Sequence, residues 1–451
     1  MRFASAVTVA ATLAAVTGAG AQEAPGLFGV DARLADYGLA DVDLVQRGRI
    51  SLVHDSAGDR IALQFLRATP LATPPPLPAE EPLVPPSGAA AEPGLRATWV
   101  WNTDELLRDE RERGAFLAFV EEQKITRVFL YLPAAEGERP SAGYVPFDGS
   151  ALAPLLAALH ARGALTYALD GDPDYVREEN HAGVVRTVRR VAEHNRARPA
   201  EERFHGVRYD VEPYLLPGFQ GPARAEILDD YVRLLTDLAD AAHAEGLRVG
   251  ADVPFWFDAG DEETGEPFEA VLDGVRRPVL DHVMLAVDDI GVMAYRTSAQ
   301  GPDGAIMHSA GEIERGRSVG VGIFVGIETT RLYDEELYTF RGEGRVGVPE
   351  LQDAPWIVLQ DLGGDRVRVW LADGERALRA LETQVADPGT LRYWFAGQPV
   401  PLPGDRLSFY SLGADAMRDV TEQIVRQFAD DPAFLGLAFH DYRGLSALLS
   451  R

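Results

Sequence analysis

Two acids two residues apart, Asp210 and Glu212 in Tyr209-Asp210-Val211-Glu212-Pro213-Tyr214, carry the strongest chemical signal in this 451-residue sequence. On an extended strand residues i and i+2 project to the same face, so both carboxyls would point one way and Val211 the other. Like charges held together raise one pKa, which leaves a protonated acid beside an ionised neighbour near neutral pH, as a general acid requires. Glu328, in Gly326-Ile327-Glu328-Thr329-Thr330, is the leading candidate for a nucleophile, with Asp210 as the alternative partner of Glu212. More polar residues follow short apolar runs: Leu169-Asp170-Gly171-Asp172, Ala251-Asp252-Val253-Pro254-Phe255-Trp256, Met293-Ala294-Tyr295-Arg296 and Phe439-His440-Asp441-Tyr442. From these, Asp170, Asp252, Arg296 and His440 are expected to bind or orient a substrate. Trp101, Tyr214, Trp256 and Tyr295 offer flat apolar faces with polar tips.

Residues so far apart meet only if a scaffold gathers them. From residue 97, β-branched or aromatic runs alternate with amphipathic segments, giving strand candidates at 97–101, 126–132, 164–169, 204–211, 247–253, 288–294, 321–327 and 434–439. Helix candidates between them include 104–123 behind Thr103 as N-cap, and 223–245 stopped by Gly246. Eight alternating units predict an α/β fold, a (β/α)8 TIM barrel whose functional groups sit at the carboxyl ends of the strands. Each acidic motif above then falls at that end. Strands four and seven face each other, so Glu212 and Glu328 would approach a bound ligand from opposite sides, the geometry of carboxylate-catalysed glycoside hydrolysis.

The domain reading is a signal peptide at 1–21, a small N-terminal β-hairpin module at 22–67 and a Pro/Ala-rich linker at 68–96. The barrel then runs over 97–451, with a β-rich insertion at about 340–410 between strand 7 and helix 7. The hairpin turn is placed at Asp55-Ser56-Ala57-Gly58-Asp59. Trp356, Trp370 and Trp394 of the insertion would either form its own core or offer stacking platforms. The leader places the protein outside the cytoplasm, in the periplasm or the medium, and no later stretch could span a bilayer.

A net charge of −27 disfavours nucleic acid as a partner, and the absence of cysteine excludes disulfides, thiolate zinc sites and a cysteine nucleophile. No phosphate loop, dinucleotide fingerprint or His-Glu-x-x-His is present, so no cofactor is expected. A rival reading uses the Asp and His residues at the mouth, among them Asp170, Asp172, Asp210, Asp252, His440 and Asp441, as a metal-dependent hydrolase. Another is a catalytically silent carbohydrate-binding barrel.

The run Phe204-His205-Gly206-Val207-Arg208-Tyr209-Asp210-Val211-Glu212 resembles the fourth-strand signature of family 18 chitinase-like glycosidases, and Met293-Ala294-Tyr295 resembles their sixth-strand Met-x-Tyr. His205 and Arg208 stand where that family has its two earlier aspartates. The resemblance implies that Glu212 protonates the leaving oxygen, that Asp210 orients a substrate acetamido group serving as nucleophile, and that Tyr295 assists. Glu212-Pro213 and Glu328 also resemble the catalytic glutamates on strands four and seven of a large clan of retaining glycosidases, with Val211 in place of that clan's asparagine. The expectation is therefore an exported glycoside hydrolase acting on a neutral or N-acetylated oligo- or polysaccharide.

Overall fold

The computed structural model describes residues 22–55, 58–66, 94–221, 223–260, 267–347 and 354–451. The leader at 1–21, nearly all of the linker and the turn residues Ser56 and Ala57 lie outside the described residues. Two compact units result. One takes its described residues from 1–75, 214–227 and 333–404, the other from 76–213, 228–332 and 405–451.

The second unit is a closed barrel of eight parallel strands, as the alternation predicts. They are β1 (Leu95–Val100), β2 (Arg127–Tyr131), β3 (Leu165–Asp170), β4 (Gly206–Tyr209), β5 (Arg248–Pro254), β6 (Asp289–Met293), β7 (Gly322–Glu328) and β8 (Phe434–His440), with β8 pairing back onto β1. Their residues are buried almost without interruption, because a parallel sheet is covered on both faces. Helices fall between them, but the expected single helix over 104–123 is two, Thr103–Arg108 and Glu110–Glu122. The break is at Asp109, whose carboxylate accepts from the amides of Arg111 and Glu112 at 2.8 and 3.2 Å and starts a new helix there. Thr103 lies inside the first helix, and Asn102 takes the N-cap position. No helix among the described residues is long and apolar enough to cross a membrane.

The first unit joins segments that the sequence reading keeps apart. Strand Arg47–Asp55 pairs with Gly58–Phe65 on one edge and with Glu335–Arg341 on the other, while Leu27–Arg33 pairs with Arg366–Asp373. A four-stranded and a six-stranded antiparallel sheet result. Phe28, Val30, Ile50, Leu52, Leu63, Phe340, Ile357, Val369 and Trp394 form the core that the two sheets share. The other face of the larger sheet presents Trp356, Val358, Trp370 and Tyr393 to helix Glu375–Gln384 through Ala377, Leu378 and Leu381. The period of two explains the split: Val369 and Leu371 face one core, Trp370 and Ala372 the other. All three insertion tryptophans are buried as packing residues.

Inside the barrel a charged group sits among apolar side chains such as Trp99, Phe129 and Phe324. Arg208, fully buried on β4, donates from Nη2 to Asp252 Oδ1 at 2.6 Å and from Nη1 to Asp289 Oδ1 at 2.7 Å. Trp99 Nε1–H donates to the other Asp252 oxygen at 2.9 Å, and the guanidinium lies 4.0 Å over the Phe129 ring. Glycine at 250 and 291 makes room: a Cβ at either position would collide with the guanidinium. Without the guanidinium, Asp252 would be a buried carboxylate with no cation and Asp289 would keep only Arg127 at 3.6 Å, and losing one member of such a buried pair costs roughly 3–5 kcal/mol. Arg208→Ala is therefore expected to lower unfolding free energy by about that amount in urea titration; a change of under about 1 kcal/mol would contradict the assignment.

Candidate active site

Strand β4 ends at Tyr209, one residue before Asp210, although the Asp210 amide still donates to the Asp170 carbonyl at 3.0 Å. Asp210 and Glu212 thus leave the end of the strand rather than lie within it. Oδ1 of Asp210 is buried with no hydrogen-bond partner among the described residues. Burial first, then the like charges of Glu212 and Asp252, push its carboxyl well above the usual range, with the Arg208 guanidinium offsetting only part. The pair therefore holds a proton more tightly than an isolated acid would, and that affinity belongs to the two coupled groups rather than to either residue.

Tyr295 follows β6. Burial, then Glu328, Asp210, Asp252 and Glu212, push its hydroxyl well above the usual phenol range, so it remains a donor facing carboxyl groups. Its ring stacks on that of His440 at 5.9 Å and 30°. Asp210, Glu212 and Tyr295 are thus brought into one electrostatic neighbourhood.

Glu328 sits at the end of β7 with both oxygens engaged. Oε1 accepts from the amide and the hydroxyl of Thr330 at 2.7 and 2.6 Å, and Oε2 lies 2.8 Å from His440 Nδ1. At 3% exposure it offers little surface to an anomeric carbon, and an attacking oxygen would first have to surrender a hydrogen bond. On the far side of His440, Trp101 Nε1–H donates to Nε2 at 3.1 Å. Burial opposes charge on His440, while the Glu328 carboxylate favours it and would bring its pKa up to about 9 if Nε2 were free to take a proton. An indole nitrogen only donates, however, so the bond at Nε2 requires a lone pair there and a proton on Nδ1 shared with Glu328. The direct Trp101 bond decides in favour of the neutral ring. Charging His440 would cost that bond.

The other expected ligand-binding residues divide. Asp170 is buried and accepts from the Tyr175 hydroxyl at 3.1 Å and the Gly171 amide at 2.9 Å; burial brings its carboxyl up to about 7. Asp252 is held by Arg208 and Trp99, as described. Arg296, 1% exposed, donates to Asp303 at 2.8 Å and to the Tyr295 carbonyl at 2.8 Å, fixing the backbone that carries Tyr295. Trp256 packs on Phe257 and Phe268 at 4.9 Å each, and Tyr214 is a buried residue of the other compact unit. These two are core, not stacking platforms. Trp101 stays partly exposed, tilted against Tyr131 at 5.8 Å. Among the described residues no three His, Asp or Glu groups come together to hold a metal ion. Sequence reasoning did not single out Thr330, Tyr175 or Asp289. Thr330, two residues after Glu328, was the one within reach of a local rule, since hydroxyls close to an acid bond it readily.

No protein-family model and no curated protein matches the sequence. Solved structures similar to the chain include a chitinase from Chromobacterium violaceum, at 14% identity and TM-score 0.38 over 79% of this chain and 99% of that one. A family 18 N-acetylglucosaminidase from Paenibacillus barengoltzii is similar at 12% identity and TM-score 0.37, over 79% and 98%. A chitinase from Bacteroides thetaiotaomicron is similar at 10% identity and TM-score 0.40, over 78% and 91%. Likeness at this level does not carry an activity over to this chain.

The Trp101–His440–Glu328 chain predicts a neutral His440 with its proton on Nδ1 at pH 7, to be read from imidazole 15N shifts. In Trp101→Phe the ring should take a second proton in the same range. An imidazolium in the wild type at pH 7 would contradict this.

Proposed function

We propose that the protein is a glycoside hydrolase that cleaves N-acetylated oligo- or polysaccharides with anomeric retention, using the acetamido oxygen of its substrate as nucleophile. The observation that carries this reading is the contrast between two acids: half-buried Asp210 keeps its enclosed Oδ1 without a hydrogen-bond partner, in the electrostatic neighbourhood of Glu212 and Tyr295, whereas both oxygens of Glu328 are occupied. Residues 1–21 support an exported location.

In this mechanism Glu212 gives its proton to the glycosidic oxygen as the C1–O bond breaks, and the acetamido carbonyl oxygen bonds to C1. The resulting oxazolinium carries one positive charge, which the Asp210 carboxylate holds through its N–H while the Tyr295 hydroxyl orients the group. Water then attacks C1, the ring reopens, and the water proton returns to Glu212. Glu328 acts one step removed: it holds His440, against which Tyr295 stacks. It is a positioning residue.

The test is hydrolysis of nitrophenyl N-acetylglucosaminide oligomers beside the matching glucosides, with folding of each variant checked. Glu212→Gln and Asp210→Asn should each lower kcat by about 10²–10⁴, the usual worth of a proton-transfer group. Tyr295→Phe should cost about tenfold or more, and Glu328→Gln should leave measurable turnover. Complete loss in Glu328→Gln with Asp210→Asn close to wild type would transfer the nucleophile to Glu328.

A further inference from the structure

The amino end of the barrel, opposite the strand ends that carry Asp210, Glu212 and Glu328, gathers hydrogen-bond donors that lack acceptors. Arg127 and Arg248 are the first residues of β2 and β5. Alternate residues of a strand share a face, so Arg127 projects inward with Phe129 and Arg248 with Asp252, both of which meet the Arg208 guanidinium inside the barrel. Tyr167 of β3 stands between them. It pairs in the ladder with Gly206, and Gly206 with Arg248, so the three lie in one row across adjacent strands. A Cβ at Gly206 would meet the Tyr167 ring at 2.7 Å, which shows the ring leaning across β4 in the direction of Arg248.

Arg127 Nη1 donates to the Tyr167 hydroxyl at 2.7 Å, so that oxygen is used as an acceptor and its own O–H is left to donate. Tyr167 is buried, and its O–H has no acceptor among the described residues. The Nε atoms of Arg127 and Arg248 are both enclosed without a hydrogen-bond partner, and Arg248 makes no side-chain hydrogen bond or ion pair with any described residue. Burial and then Asp289 push the Tyr167 hydroxyl up to about 12, against the pull of Arg127, Arg248 and Arg208. It therefore keeps its proton at neutral pH, within the field of both terminal arginines.

One acceptor is unmatched as well. Asp289 gives Oδ1 to Arg208 at 2.7 Å, whereas its buried Oδ2 has no hydrogen-bond partner among the described residues and lies 3.6 Å from Arg127 Nη1. Enclosed donors and acceptors left unpaired each cost free energy, and a solute offering several acceptor oxygens and one proton would satisfy both kinds. A fully ionised anion would press its charge against Asp289 instead. The Arg127 side chain is 12% exposed and Arg248 is half-buried, so a small solute can reach the row from the amino end.

We propose that the amino end of the barrel binds hydrogen phosphate, its oxygens accepting from Arg127, Arg248 and Tyr167 and its hydroxyl donating to Asp289 Oδ2. Guanidinium forks match an oxyanion of this shape. The experiment is calorimetric titration of the full chain at pH 7 and fixed ionic strength with inorganic phosphate and, separately, with sulfate, which has the same shape but no proton to give. Phosphate should bind, and sulfate at least about tenfold more weakly, because Asp289 would face it unpaired. Arg248→Gln removes a charge that no described residue uses, and should weaken phosphate about tenfold or more. Tyr167→Phe keeps the ring, removes one donor and should weaken phosphate about fivefold or more; it carries the test should Arg248→Gln not fold. No phosphate binding to the wild type, sulfate binding as tightly, or unchanged phosphate affinity in either folded variant would overturn the proposal.

Discussion

A guanidinium sealed inside a β-barrel has to be answered by anions, and the pairing of Arg208 with Asp252 and Asp289 is the constraint on which the site depends. It explains the glycines at 250 and 291 and the inward indole of Trp99. It also partitions charge. Arg208 is committed to two acids below, so it only partly offsets the like charges that Glu212 and Asp252 impose on Asp210. The raised affinity of that pair for a proton, from which the proposed chemistry starts, follows from where the cation is spent.

A second set of contacts sets the orientation of the mouth. Thr330 fixes Glu328, Glu328 fixes His440, and Trp101 closes the chain from the other side. Arg296 holds the Tyr295 carbonyl while His440 stacks on the Tyr295 ring. Groups that resemble catalytic machinery in the sequence thus sort into those whose polar atoms are already satisfied and those still open to a substrate. Asp170, Asp252 and Glu328 belong to the first kind, Asp210 and Tyr295 to the second.

The barrel was legible because each of its strands announces itself locally, through an apolar run followed by a polar end, and the alternation with helices leaves one closed topology. The β-sandwich was not legible to the same depth. Its pairings, such as Val53 with Glu335 and Ala32 with Val367, join residues hundreds of positions apart, and no local pattern records which edge meets which. Candidate site residues show the same limit. Placing Asp252 at a strand end needed only its neighbours; learning that it is consumed by Arg208 needed the register of β4 against β5. The split of the first helix at Asp109 was readable in principle, since an aspartate followed by Glu110-Arg111-Glu112 is a fresh helix start.

The claim most exposed to contradiction is that the substrate, not the protein, supplies the nucleophile. Comparing kcat/KM for aryl glycosides bearing N-acetyl, N-fluoroacetyl and N-trifluoroacetyl groups measures it directly, since fluorine drains electron density from the oxygen that must attack C1. Participation predicts a steep fall, about tenfold or more across the series. A rate independent of fluorine content would mean that a protein carboxylate attacks instead, and the assignment of Asp210 and Tyr295 would fail with it.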